Sequence, residues 1–94
     1  MKLKITFLGT SAAIPTVKRS LPAIALQWKG KIILFDAGEG VQRQMVKAGL
    51  SILKTKQIFI THSHGDHVLG VFGLLHTMAM LNRQDPLEIY GPKD

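Results

Sequence analysis

A layered α/β fold is what this sequence predicts, and two observations predict it. Short segments of strand-like pattern alternate with helical ones in the order strand, strand hairpin, helix, strand, helix, strand. One apolar strand also runs straight into a polar cluster followed by a helix, the usual setting of a site at the carboxyl end of a strand. The elements follow in turn. Lys2 to Phe7 alternates polar Lys2, Lys4 and Thr6 with apolar Leu3, Ile5 and Phe7, the period of a half-buried strand. Gly9, Thr10 and Ser11 end it, and residues 12–20 read as a loop carrying Pro15, Lys18 and Arg19. Ala23 to Trp28 and Lys31 to Phe35 form a hairpin about Lys29-Gly30. Val41 to Ala48 reads as a short helix after the breakers Gly38 and Gly40. Glu39 and Lys47 suit its dipole, and Gly49 sits where a left-handed cap belongs. Gln57 to Ile60 is a short buried strand, Leu69 to Leu81 the strongest helix, and Leu87 to Tyr90 a last strand fenced by Pro86 and by Gly91-Pro92.

The last helix is apolar over more than one face, through Val68, Leu69, Val71, Phe72, Leu74, Leu75, Met78, Ala79, Met80 and Leu81. A helix of that kind is covered on both sides. One side can pack on the sheet; the other requires a further part of the protein or a second subunit. Gly70 and Gly73 each cost a helix interior up to about 1 kcal/mol, so they are expected to serve a close approach. His76 on this helix reads as a packing or interface residue.

Composition narrows the chemistry. The chain has 94 residues and no cysteine, which excludes a disulfide scaffold, a Cys-based zinc site and a thiol nucleophile. Its 46% hydrophobic content excludes wholesale disorder. The amino terminus lacks a signal-peptide apolar region, and no stretch reads as a spanning helix, so the expectation is a cytoplasmic protein without a membrane segment. Twelve Lys and Arg against six Asp and Glu give a net charge of +6, which points to a polyanionic partner. The basic residues Lys29, Lys31, Arg43, Lys47, Lys54 and Lys56 are dispersed along the chain and form no stripe in the sequence. With one Trp and one Tyr, an aromatic stacking platform is not expected.

The informative segment is Thr61-His62-Ser63-His64-Gly65-Asp66-His67. His62 and His64, two apart, project the same way from extended backbone. Gly65 lets the chain turn. Asp66 and His67 then offer a carboxylate and a third imidazole. Neighbouring side chains diverge, so two ions fit better than one: His62 and His64 on the first, Asp66 and His67 on the second. This donor chemistry suits zinc, with manganese and iron as alternatives. Paired metals depress the pKa of bound water and clamp the attacking and leaving oxygens of a displacement. Asp66 is the candidate to orient or deprotonate that water. The bland reading is an incidental surface cluster or a set of phosphate contacts. Four ligand types at this spacing, between a strand and a helix, favour the metal.

His62, His64, Asp66 and His67 match the His-x-His-x-Asp-His signature of the metallo-β-lactamase superfamily, which the chain resembles. Within it, three segments resemble the ribonuclease Z family of tRNA 3′-processing endonucleases: FLGTSAAIPTVKR, LFDAGEGVQRQM and HSHGDHVLGVFGLL. The resemblance implies an αβ/βα sandwich of which residues 1–94 are the N-terminal portion. It implies two Zn²⁺ per complete site, His62 and His64 on the first and Asp66 and His67 on the second. Asp66 becomes the catalytic general base, and Asp36 a supporting residue beside the site. It places Lys18 and Arg19 in a substrate-side loop, precursor tRNA as substrate, removal of its 3′ trailer as the reaction, and a homodimer built through helices of this half. Two protein ligands per zinc is one short of the usual three. The remaining ligands lie in the later part of family members, so this chain alone is expected to be inactive. The rival expectations are another phosphodiesterase or arylsulfatase-like hydrolase of the superfamily, and a non-catalytic binding or dimerisation module.

Overall fold

A computed structural model describes residues 3–9, 22–62 and 65–92, with only the backbone at Asp66. Five strands form one mixed sheet in sequential order: β1 (Lys4–Gly9), β2 (Ala23–Trp28), β3 (Lys31–Phe35), β4 (Thr55–Phe59) and β5 (Glu88–Tyr90). β1, β2 and β3 pair antiparallel, and β3, β4 and β5 pair parallel. The hairpin turns at Lys29 and Gly30, both left-handed at φ 51° and 74°, the primed geometry that matches strand twist. Helix α1 (Val41–Lys47) carries the first parallel crossover, followed by a turn of 3₁₀ helix at Ile52–Lys54. Helices α2 (Gly65–Val68) and α3 (Gly70–Met80) carry the second. Both crossovers advance across the sheet in one direction, and a common right-handed sense places their helices on the same face.

That face holds the core. Leu8, Ala25, Ile32, Leu34 and Ile58 from the strands meet Val41 and Met45 of α1 and Val71, Leu74 and Met78 of α3. The opposite face carries a row in strict register, Phe7, Ile24, Phe35, Phe59 and Tyr90. The rings of Phe35, Phe59 and Tyr90 stack at centroid separations of 5.6 and 4.9 Å.

Several expectations shift. The first strand is displaced to Lys4–Gly9, and the fourth begins at Thr55 rather than Gln57. Arg83 explains the second change. Its guanidinium donates to the carbonyls of Leu53, Thr55 and Pro86, and its Nε to that of Asp85, clamping the entry to β4 against the approach to β5. The helix after the polar cluster starts at Gly65, so His67 is helical, and Leu69 separates two helices. α3 buries only Gly70, Val71, Leu74 and Met78, while Phe72 and Met80 are 70% and 73% exposed. The expected second covering is therefore not supplied by the described residues, and His76 is exposed, outside the core, on that uncovered helix.

Both longer helices end as their sequences dictate. After α1, Gly49 takes φ 75° and the amides of Gly49 and Leu50 reach back to Val46 and Met45. After α3, Asn82 takes φ 61° and the amides of Asn82 and Arg83 reach back to Ala79 and Met78. Each is a Schellman stop, which satisfies carbonyls that the helix leaves unpaired.

Candidate metal centre

The site forms where β3 and β4 end side by side. Being parallel neighbours, they deliver Asp36 and Thr61 to the same edge, joined by the Asp36 amide donating to the Phe59 carbonyl at 2.7 Å. Asp36 is buried and left-handed, at φ 66°. Aspartate is one of the few side chains that tolerate this conformation. The turn aims its carboxylate back across the strand ends. Oδ1 accepts the Thr61 amide at 2.8 Å, and Oδ2 accepts the Thr61 hydroxyl at 2.8 Å.

One predicted ligand lies on this carboxylate and a second on the Thr61 hydroxyl that it holds. His67 Nδ1 is 3.0 Å from Asp36 Oδ2. His62 Nδ1 is 3.0 Å from Thr61 Oγ1. A hydroxyl has one proton, and Thr61 gives it to Asp36, so its lone pair receives the His62 Nδ1–H. Asp36 thus stands directly beside one ring and, through Thr61, behind the other. An Nδ1–H held in this way would leave the Nε2 lone pair for a metal. The two rings lie 4.9 Å apart between centroids.

Close backbone packing holds the helix at this edge. The Ala37 amide donates to His67 O at 2.8 Å, and the Gly70 amide donates to Ala37 O at 2.7 Å. A Cβ at Gly70 would stand 2.1 Å from Gly38 O and 2.7 Å from Ala37 O. Only glycine permits this approach. Gly73 is different: its added Cβ would meet the side-chain end of Gln42.

Of the residues singled out in the sequence, the structure brings together His62, His67 and Asp36. The side chains of His64 and Asp66, and the pair Lys18 and Arg19, lie outside the described residues. Among the described residues no three donors are grouped to hold an ion. What the sequence did not disclose is Thr61. A Ser or Thr before the first histidine carries no signal until the fold sets it against Asp36.

Comparison with known proteins places this edge in a family. A family model described as anti-Pycsar protein Apyc1 matches residues 3–94. The chain belongs to that family. It is also 57% identical over 91 residues to the ribonuclease Z of Thermococcus onnurineus, covering 97% of this chain and 29% of the relative. The human tRNase Z short form superposes with a TM-score of 0.86 at 47% identity, over 95% of this chain and 35% of that one. A metallo-β-lactamase fold protein of Bacillus subtilis, YhfI, gives 0.81 at 22% identity, over 95% of this chain and 37% of that one. The fold is therefore that of a part of the metallo-β-lactamase architecture. The chain spans about 29% of the length of its curated ribonuclease Z relatives. Among the described residues no helix is long and apolar enough to cross a membrane.

Proposed function

We propose that this chain is the N-terminal portion of a zinc-dependent endoribonuclease that removes 3′ trailers from precursor tRNA in the cytoplasm. The supporting observation is the pair of imidazoles 4.9 Å apart, one beside Asp36 and one beside the Thr61 hydroxyl that Asp36 holds. The likeness to ribonuclease Z and to human tRNase Z supports the substrate.

The donor set fits zinc. His62 and His64 would hold one ion, Asp66 and His67 the other. When bound, the ions supply acidified water and neutralise charge on the scissile phosphodiester. Asp66 takes the proton of the attacking water. Asp36 and Thr61 keep the imidazoles of His62 and His67 in the right tautomer. Water would add to phosphorus in line as the P–O3′ bond breaks, so the tRNA keeps a 3′-hydroxyl, protonated from solvent, and the trailer leaves with the 5′-phosphate. The exposed row of Phe72, Leu75, His76 and Met80 on α3 suits a homodimer contact.

The test is a chimera joining this chain to the remaining part of the Thermococcus relative. It is expected to cut precursor tRNA at the trailer boundary, to lose activity on chelation, and to lose it in His64→Ala and Asp66→Asn forms that melt normally. The chain alone is expected to be inactive and to bind zinc weakly by elemental analysis. A folded chimera that hydrolyses cyclic nucleotides or arylsulfates and leaves precursor tRNA intact establishes the rival hydrolase reading. A folded chimera inactive on all of them supports a binding module.

A further inference from the structure

At the end of the sheet opposite the metal edge, the hairpin turn, the start of β1, the start of β3 and the 3₁₀ turn enclose an open groove of about 580 Å³. Lys4, Lys29, Lys31 and Lys54 line it with Trp28 and Gln27, and among the described residues no carboxylate does. Register brings both pairs to one end of the sheet: Lys4 lies opposite Gln27 on the face of Ile32, and Trp28 opposite Lys31 on the other face. The neighbouring Lys56 is ion-paired with Asp85 at 3.1 Å, whereas among the described residues no carboxylate pairs with the four groove lysines. Lys29 sits in the left-handed position of the turn that Asn or Gly fills more easily. From there its Nζ lies 4.4 Å over the half-exposed Trp28 ring.

We propose that this groove is an RNA-binding exosite, in which Lys4, Lys29, Lys31 and Lys54 hold backbone phosphates and Trp28 stands beside the strand. Four like charges drawn from four separate elements, with no carboxylate among the described residues of the groove, match a polyanion, although Lys31 also borders the adjacent groove of Lys56, Asp85 and Glu88. The groove is open, and one face of its single aromatic ring is capped by Lys29. That shape favours a polymer lying across it over a small molecule enclosed in it. The five residues of β3 separate the groove from Asp36 by roughly 16 Å, less than one turn of a nucleic-acid duplex, about 34 Å. One RNA can therefore span both. The choice of RNA rests on the nuclease reading above; the assignment of the groove does not depend on metal or cleavage.

Trp28 is the only tryptophan of the chain, so its emission reports on the groove. The chain is titrated, with chelator present, with a short RNA hairpin bearing a 3′ extension. Emission is expected to change saturably. Lys31→Gln and Lys54→Gln are each expected to reduce the slope of log affinity against log salt by about 0.7, with unchanged melting. Lys47→Gln, at an exposed position of α1, removes the same charge outside the groove and is expected to leave the slope alone. The proposal is overturned if RNA binds by anisotropy without altering Trp28 emission, or if Lys47→Gln acts as strongly as Lys31→Gln. It is also overturned if ATP or inorganic phosphate displaces the RNA at equal concentration, which assigns the groove to small anions. Groove binding together with a chimera that leaves precursor tRNA uncut removes the nuclease reading and keeps the site. A chimera that cuts while the groove variants keep the wild-type salt slope removes the site alone.

Discussion

Replacing Gly70 by alanine tests the packing that builds the metal edge. The new Cβ would lie 2.1 Å from Gly38 O and 2.7 Å from Ala37 O, with Val41 Cγ1 at 2.8 Å. Two of these three are backbone atoms of a buried turn, which cannot rotate away. Ordinary contact begins at 3.4 Å, so α3 and the turn must part by roughly 1.3 Å. That breaks the 2.7 Å bond from the Gly70 amide to Ala37 O. Overpacking costs about 1–3 kcal/mol, and the lost bond about 1 kcal/mol. Better helix propensity returns at most about 1 kcal/mol. The expected net loss is about 2 kcal/mol. Gly73→Ala is the internal control, because its nearest neighbour at 2.8 Å is the flexible end of Gln42. It is expected to be neutral or to stabilise by up to about 1 kcal/mol. Urea unfolding followed by circular dichroism separates the two by about 1 M or more in midpoint at a slope of about 1–2 kcal/mol/M. Equal midpoints for Gly70→Ala and Gly73→Ala would refute the reasoning.

Three further outcomes are expected. Asp36→Asn keeps a side chain that tolerates φ 66° but removes the charge beside His67; zinc affinity, read by chelator competition, should fall about 10–100-fold with little loss of stability, and Asp36→Ala should lose both. Arg83→Lys cannot serve the four carbonyls that the guanidinium holds; the melting temperature should drop by an amount worth about 2 kcal/mol. Tyr90 has its pKa raised from 10.0, chiefly because its hydroxyl donates to Glu88. The folded value exceeds the unfolded one, so this contribution to stability is intact below that value and disappears as pH rises through the raised one. Glu88→Gln should bring the ultraviolet titration of this single tyrosine back toward 10.0.

The sequence by itself determined the local elements and the candidate ligands. The apolar run from Ile32 to Phe35, the Lys29-Gly30 turn and the Gly49 stop each depend on residues within a few positions, so a linear reading finds them. The histidine run is legible for the same reason: its donors are close neighbours in the chain. What lies across the chain was decided by the tertiary structure. Asp36 and Thr61 are 25 residues apart, and only parallel pairing of β3 with β4 makes them one hydrogen-bonded unit behind two imidazoles. Gly70 is legible as a costly glycine, but its reason, the carbonyls of Ala37 and Gly38, comes from another crossover. Lysines that form no stripe in the sequence converge at one end of the sheet, because strand register sets Lys4 and Lys31 beside Gln27 and Trp28. Backbone propensity acts over a few residues. Register and crossover handedness act over the whole fold, and they set what the side chains meet.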